Sequence, residues 1–220
     1  MHENDRGRSS RRLERALETV AAALNELGVP WAVIGGIAVI ARGVRRMTTD
    51  IDAVIQGDAA TCPDVLRALA AHGVCPRIED AEEFAASNLV LLVRHESTGV
   101  DIDLSFGWTE LEHRAIASST ETAFGRVCAP MVRPQELVVL KAVAGRPVDI
   151  QDLTALLLMH PEIDVADARR SVTELATMVD APELLAGFDA ATEATRTDSS
   201  PDTKPTKPRM PPKKRSKRRD

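Results

Sequence analysis

Between Ser10 and Gly28, apolar residues recur at Leu13, Leu17, Val20, Leu24 and Leu27, the period of an amphipathic helix that stops at a glycine. Residues 1–9 are mostly polar, carry no such stripe and are expected to fray. After Pro30, the run Trp31-Ala32-Val33-Ile34 predicts a buried strand, and Gly36–Arg42 a short helix behind a diglycine turn. Ile51–Ile55 predicts a second strand, closed by Gly57-Asp58. A helix is expected over Thr61–His72, with Thr61 as cap, Pro63 near its first turn and Gly73 at its end. Asn88–Val93, a turn at His95–Gly99 and Val100–Phe106 predict a hairpin. Glu110–Ser118 predicts a helix and Arg126–Val132 a short strand. Four helices should follow, over Gln135–Ala144, Asp149–Met159, 164–179 and 182–191. Strands first and helices afterwards give an α+β fold with a mixed sheet.

Composition adds a division of charge. Residues 201–220 hold nine Lys or Arg against Asp202 and Asp220, a net +7, and the other 200 residues carry −12. From Thr192 onward the chain is rich in Thr, Ser, Pro, Lys and Arg, so disorder is expected there. The expected organisation is a core at 10–132, a helical subdomain at 133–191 and a disordered basic tail at 192–220. The tail has no aromatic residue, so any contact it makes with nucleic acid would be electrostatic and blind to sequence. Cys62, Cys75 and Cys128 have no metal-ligand spacing and form no even framework, which favours free thiols in a reducing compartment. His72, His95, His113 and His160 form no ligand pattern and are expected at the surface. The N-terminus has no apolar signal core, and the longest apolar run, Val29–Ala41, is too short to span a bilayer. A soluble cytoplasmic protein without a membrane partner is expected.

The chemistry concentrates in Val33-Ile34-Gly35-Gly36-Ile37-Ala38 followed by Thr48-Thr49-Asp50-Ile51-Asp52-Ala53. Side chains alternate across a strand, so Asp50 and Asp52 share a face and repel each other unless a cation neutralises them. Hard oxygen ligands of this kind suit Mg²⁺ bound with substrate phosphates. Gly35 and Gly36 allow backbone N–H groups to come close to a triphosphate. A two-metal clamp, with ions about 3.5–4 Å apart, requires roughly a third carboxylate. Val100-Asp101-Ile102-Asp103-Leu104 repeats the alternation and offers Asp101 or Asp103.

These segments resemble the polymerase-β-like nucleotidyltransferase superfamily. Gly-Gly-x-Ala…Arg46-x-Thr48-Thr49-Asp50-Ile51-Asp52 is similar to its AbiEii-like branch of abortive-infection and toxin–antitoxin nucleotidyltransferases. Pro134 to Leu153, with Leu140-Lys141, Arg146, Asp149 and Asp152, resembles that branch's helix pair. The resemblance spans roughly residues 29–160. It implies a nucleotidyltransferase-like mixed sheet flanked by helices. It also implies Mg²⁺ held by Asp50, Asp52 and Asp103, and an NTP contacted by Gly35, Gly36, Arg46, Thr49 and Lys141. Lys141 and Asp149 are expected in the catalytic set, with Asp152 the alternative to Asp149. Asp103 would be general base toward an acceptor hydroxyl. That acceptor could be a tRNA 3′ end, in a toxin restrained by a cognate antitoxin. Two rivals stand beside this reading. One is an enzyme that modifies a small molecule or a protein; the other is a degenerate module that binds nucleotide or nucleic acid without catalysis.

Overall fold

The computed structural model describes residues 3–198. Seven strands form one mixed sheet: β1 (Trp31–Val33), β2 (Asp50–Gln56), β3 (Val74–Pro76), β4 (Val90–His95), β5 (Val100–Gly107), β6 (Thr120–Phe124) and β7 (Val127–Met131). Their order across the sheet is β3-β4-β5-β2-β1-β7-β6. The central pair β2–β5 is parallel, as is β1–β7, and the remaining neighbours are antiparallel. Nine α-helices surround the sheet among the described residues: α1 (Glu3–Leu27), α2 (Gly35–Ala41), α3 (Cys62–Ala71), α4 (Ala81–Asn88), α5 (Glu110–Ala117), α6 (Pro134–Ala144), α7 (Pro147–Met159), α8 (Val165–Met178) and α9 (Glu183–Asp198). This is the expected α+β architecture.

Alternation along the strands sorts the chain into two cores. Ile51, Ala53 and Ile55 of β2 and Ile102, Leu104 and Phe106 of β5 face α1, α3 and α4. The α1 stripe fills that side with Leu13, Leu17, Val20 and Leu24, all buried. Fully burying each such side chain contributes about 1.5–3 kcal/mol. Ala32 and Val54 face the other way, into a core made with α5 and the bundle α6–α9 through Leu111, Leu137, Leu153 and Phe188. Asp50 and Asp52 share the face of Val54, beyond the edge of that second core.

Local chemistry sets the helix limits. Thr109 and Glu112 form a capping box at the start of α5. Prolines open α6 and α7, and the Asp164 carboxylate accepts from the Asp167 N–H at the start of α8. Thr61 does not cap α3 with its side chain; it ends a 3₁₀ turn over Ala59–Thr61 and donates to the Asp58 carbonyl at 2.7 Å.

Several expectations change. Helix α1 begins at Glu3: Ser10 bonds to Glu14 and Arg11 to the Gly7 carbonyl within the helix, and Arg12 reaches across to the Thr98 carbonyl, so the segment is held without an apolar stripe. Helix α9 continues through residues 192–198, where Thr192 is buried and donates to the Phe188 carbonyl at 3.0 Å. The rest of the expected basic tail, 199–220, lies outside the described residues. His95 is buried rather than exposed, with Nδ1 at 2.8 Å from the Thr98 hydroxyl. Strands β3 and β6 and helix α4 have no counterpart in the sequence reading. Among the described residues no helix is long and apolar enough to cross a membrane.

Candidate active site

The parallel register of β2 and β5 puts Asp50 beside Asp101 and Asp52 beside Asp103. Two Asp-x-Asp repeats on adjacent strands therefore make a square of four carboxylates on one face. β4 extends the rows, with Arg94 across from Asp101 and Leu92 across from Asp103. The turn from β1 into the start of α2 closes over Asp52. Gly35 has a φ of +62°, and a Cβ there would lie 1.9 Å from Asp52 Oδ2. A Cβ on Gly36 would lie 2.5 Å from the Thr48 hydroxyl oxygen and 3.2 Å from Arg46 Nη2. The diglycine is thus needed for the close approach of this loop to Asp52, Thr48 and Arg46.

Each carboxylate has a distinct environment. Burial pushes the Asp52 carboxyl up, and the Asp50 and Asp103 charges push it further; Lys141 and a hydrogen bond from the Gly36 N–H pull back. Asp103 is likewise raised by burial and by Asp50 and Asp101, against the opposing charge of Arg77. Asp101 is lowered, first by its hydrogen bond from Arg94, Nε to Oδ1 at 2.6 Å. Arg77 reaches both acids of β5, at 3.0 Å from Asp101 Oδ2 and 2.5 Å from Asp103 Oδ1. Asp50 is exposed and accepts from the Thr48 hydroxyl at 2.7 Å. Thr49, expected at the nucleotide, is exposed and lies in the wall of a 290 Å³ cavity with Asp50, Asp101 and Arg77. The threonine on the acid is Thr48.

Behind the square lies a buried ion network. Lys141 Nζ is 2.8 Å from Asp149 Oδ1 and 3.1 Å from Asp152 Oδ2. Arg146 Nε adds a 2.5 Å contact to Asp149 Oδ2, and Arg46 pairs with Asp152. Burial pushes the Asp149 carboxyl up, yet hydrogen bonds from Arg146 and Lys141 outweigh it and leave Asp149 below the usual range. Both candidates for the acid of the helix pair are therefore partners of Lys141, and Arg46 ties the network to the glycine loop. Arg42, four residues before Arg46, is a structural anchor. It donates to the Val132 and Met131 carbonyls at 3.0 and 2.8 Å and to the Thr120 hydroxyl at 2.9 Å.

Residues 13–184 match the family described as "Nucleotidyl transferase of unknown function (DUF2204)". The chain belongs to this family. As a DUF2204 nucleotidyl transferase it matches no curated protein. Among solved structures, it shares its fold with the solution structure of the antibiotic-resistance factor ANT(2'')-Ia. The TM-score is 0.52 at 16% identity, over 76% of this chain and 92% of that one. It is also similar to an antigenic nucleotidyltransferase-like protein from Paracoccidioides brasiliensis, with a TM-score of 0.49 at 17% identity over 83% of this chain and 94% of that one.

The donor chemistry of Asp50, Asp52 and Asp103 fits a hard divalent cation such as Mg²⁺. As they stand, the acids are turned onto protein donors. Among the described residues no three His, Cys, Asp or Glu side chains are grouped to hold a metal ion. Arg77 already engages Asp103 Oδ1, so the acid expected as third ligand carries a cation of the protein's own. Arg77 and Arg94 were absent from the sequence reading. For Arg94 a signal existed: continuing the alternation of Val90 and Leu92 by one more step puts it on the acid face.

Proposed function

We propose that this nucleotidyl transferase moves a nucleotidyl group from an NTP to the 3′ hydroxyl of an RNA. The reading rests on one observation: the register that seats Asp50-x-Asp52 beside Asp101-x-Asp103, directly under Gly35-Gly36. A binding module has no use for four mutually repelling carboxylates beside a glycine loop. Asp50, Asp52 and Asp103 would hold Mg²⁺, which when bound neutralises triphosphate oxygens and orients them for in-line displacement.

The chain's own groups have separable tasks. The Gly36 N–H orients Asp52. Arg46, fixed by Asp152, offers Nη2 beside Gly36 to phosphate oxygens. Asp103, whose carboxyl is raised, takes the proton of the acceptor hydroxyl as that oxygen forms its bond to the α-phosphorus and pyrophosphate departs. Lys141 holds Asp149 and Asp152, and through them Arg46 and Arg146, so that its charge supports the site from behind.

An RNA acceptor is supported by the +7 block at 201–220, which suits a polyanion and has little use on a small-molecule enzyme. The AbiEii-like pattern supports a tRNA 3′ end as that RNA, and growth inhibition restrained by an antitoxin as the biological role. The test is transfer of label from each NTP, with Mg²⁺, to total RNA, beside an Asp52→Asn control. A labelled tRNA-sized band lost in the variant supports the proposal. Label that enters only protein or small molecules moves the acceptor elsewhere, and no label anywhere defeats the transfer reading.

A further inference from the structure

We infer that Arg77 is a resident counter-cation that occupies Asp103 in the metal-free protein and swings off it, still tethered to Asp101, when a divalent cation enters. The inference rests on the proposed metal-dependent transfer and assigns that site its gate.

Three observations carry it. The first is the grip on both acids of β5, Nη1 on Asp101 and Nη2 on Asp103, with a backbone held in place by the Arg77 N–H donating to the Leu92 carbonyl at 3.1 Å. Leu92 lies directly across from Asp103, so the guanidinium reaches back over one strand to the acid that must also serve the cation. The second is the asymmetry of the two grips. Asp101 is held in addition by Arg94, whereas among the described residues Asp103 is ion-paired with Arg77 alone. Detachment from Asp103 leaves Arg77 with a carboxylate partner, and detachment from Asp101 does not free the third ligand. The third is room to move. Arg77 forms part of the wall of the 290 Å³ cavity beside Asp50, Thr49 and Ser9, so the guanidinium can shift without displacing a core side chain.

The physical reason is charge balance. Four carboxylates on adjacent rungs repel one another when no metal is present. One arginine fork that spans two of them relieves this repulsion and keeps the apo face intact. The same positive charge opposes an arriving dication, so the gate sets the metal concentration at which the site loads. Asp101 thereby acquires a role distinct from Asp103: it retains the arginine and does not ligate the metal.

The test measures Mn²⁺ binding by calorimetry on the full chain with a non-hydrolysable NTP analogue, for the wild type, Arg77→Gln and Arg94→Gln. Both variants lose one positive charge near the square, but only Arg77 touches Asp103. The inference expects about a three- to fivefold lower Mn²⁺ Kd in Arg77→Gln and less than about twofold change in Arg94→Gln, the upper part of the range of one partly exposed ion pair. In EDTA, Arg77→Gln should melt below the wild type and gain more from added Mn²⁺. Arg77→Met repeats the measurement without a side chain able to donate to Asp103. Equal effects of the two Gln variants, or unchanged or weaker binding in both Arg77 variants, overturn the inference while leaving the transfer reading intact. Absence of Mn²⁺ binding in every form, wild type included, defeats the metal-dependent reading and the gate with it.

Discussion

Lys141→Met separates two roles for the lysine that the sequence alone leaves merged. Lys141 is 5% exposed at its side chain, and its partners Asp149 and Asp152 are 0% and 4% exposed. Met preserves length and apolar stem while removing the ammonium. Asp149 then keeps only Arg146, whose own side chain is 70% exposed, and Asp152 keeps only Arg46. Removing one member of a buried ion group leaves uncompensated charge and costs about 3–5 kcal/mol. Total stability for a domain is about 5–15 kcal/mol, so this is a large share. Urea unfolding at pH 7 should show that loss as a lower midpoint with an unchanged slope. The triple variant Lys141→Met/Asp149→Asn/Asp152→Asn should recover part of it, because neutral partners no longer need an ion. The pH profile follows by linkage. Asp149 is held below its ordinary range, so its contribution is present above that range and lost as pH falls through the folded value. In Lys141→Met one of the groups holding it down is gone, so acid loss should begin at a higher pH. A variant within about 1 kcal/mol of the wild type would refute the network reasoning; if transfer were lost as well, Lys141 would be a substrate ligand instead.

Three further outcomes follow from the same geometry. Asp52→Asn should abolish transfer yet raise the melting point in EDTA at neutral pH: its folded carboxyl is raised, so the native state binds that proton more tightly and the ionised acid is a net penalty above its folded value. A melting point below the wild type would contradict this. Gly35→Ala should cost both activity and stability, since its Cβ meets Asp52 at 1.9 Å; Gly28→Ala, with φ +75° and nothing within 4 Å, should cost only the backbone term of about 1 kcal/mol in thermal unfolding and leave kcat unchanged. Asp103→Asn should lower kcat by about 10²-fold or more, the scale of a lost general base, and Asp101→Asn by less than about tenfold; the reverse order would reassign the third acid.

The strands that carry the acids were legible because charge alternates with core residues in both segments, which is a period-two signal of unusual clarity. The glycine turn was legible in context: two glycines between a strand and a helix suit a tight turn as well as a close backbone approach, and Asp50-x-Asp52 downstream points to the second. What escaped was held by elements too short or too polar to announce themselves. β3 is three residues long and contains Pro76, so Arg77 follows a strand that pattern reading does not register. β6 is mostly exposed and α4 is short and weakly amphipathic. The Lys141 network was half visible. A lone lysine in an apolar helix pointed to function, and the resemblance brought Asp149 and Asp152 forward as alternatives; that both are buried partners of Lys141 follows from the packing of α7 against α6, which no local pattern displays.

The paired repeats on β2 and β5 also bear on how such a site can drift. A slip of β5 by one residue against β2 would turn Asp101 and Asp103 toward the core and Ile102 away from it, so odd shifts are strongly disfavoured. A slip of two keeps every apolar side chain on its own side and still pairs two acids, Asp52 with Asp101 in one direction and Asp50 with Asp103 in the other. The duplicated acid thus keeps a cross-strand pair of carboxylates after a two-residue shift, but the arginine grips that set Asp101 apart from Asp103 would have to be rebuilt around it.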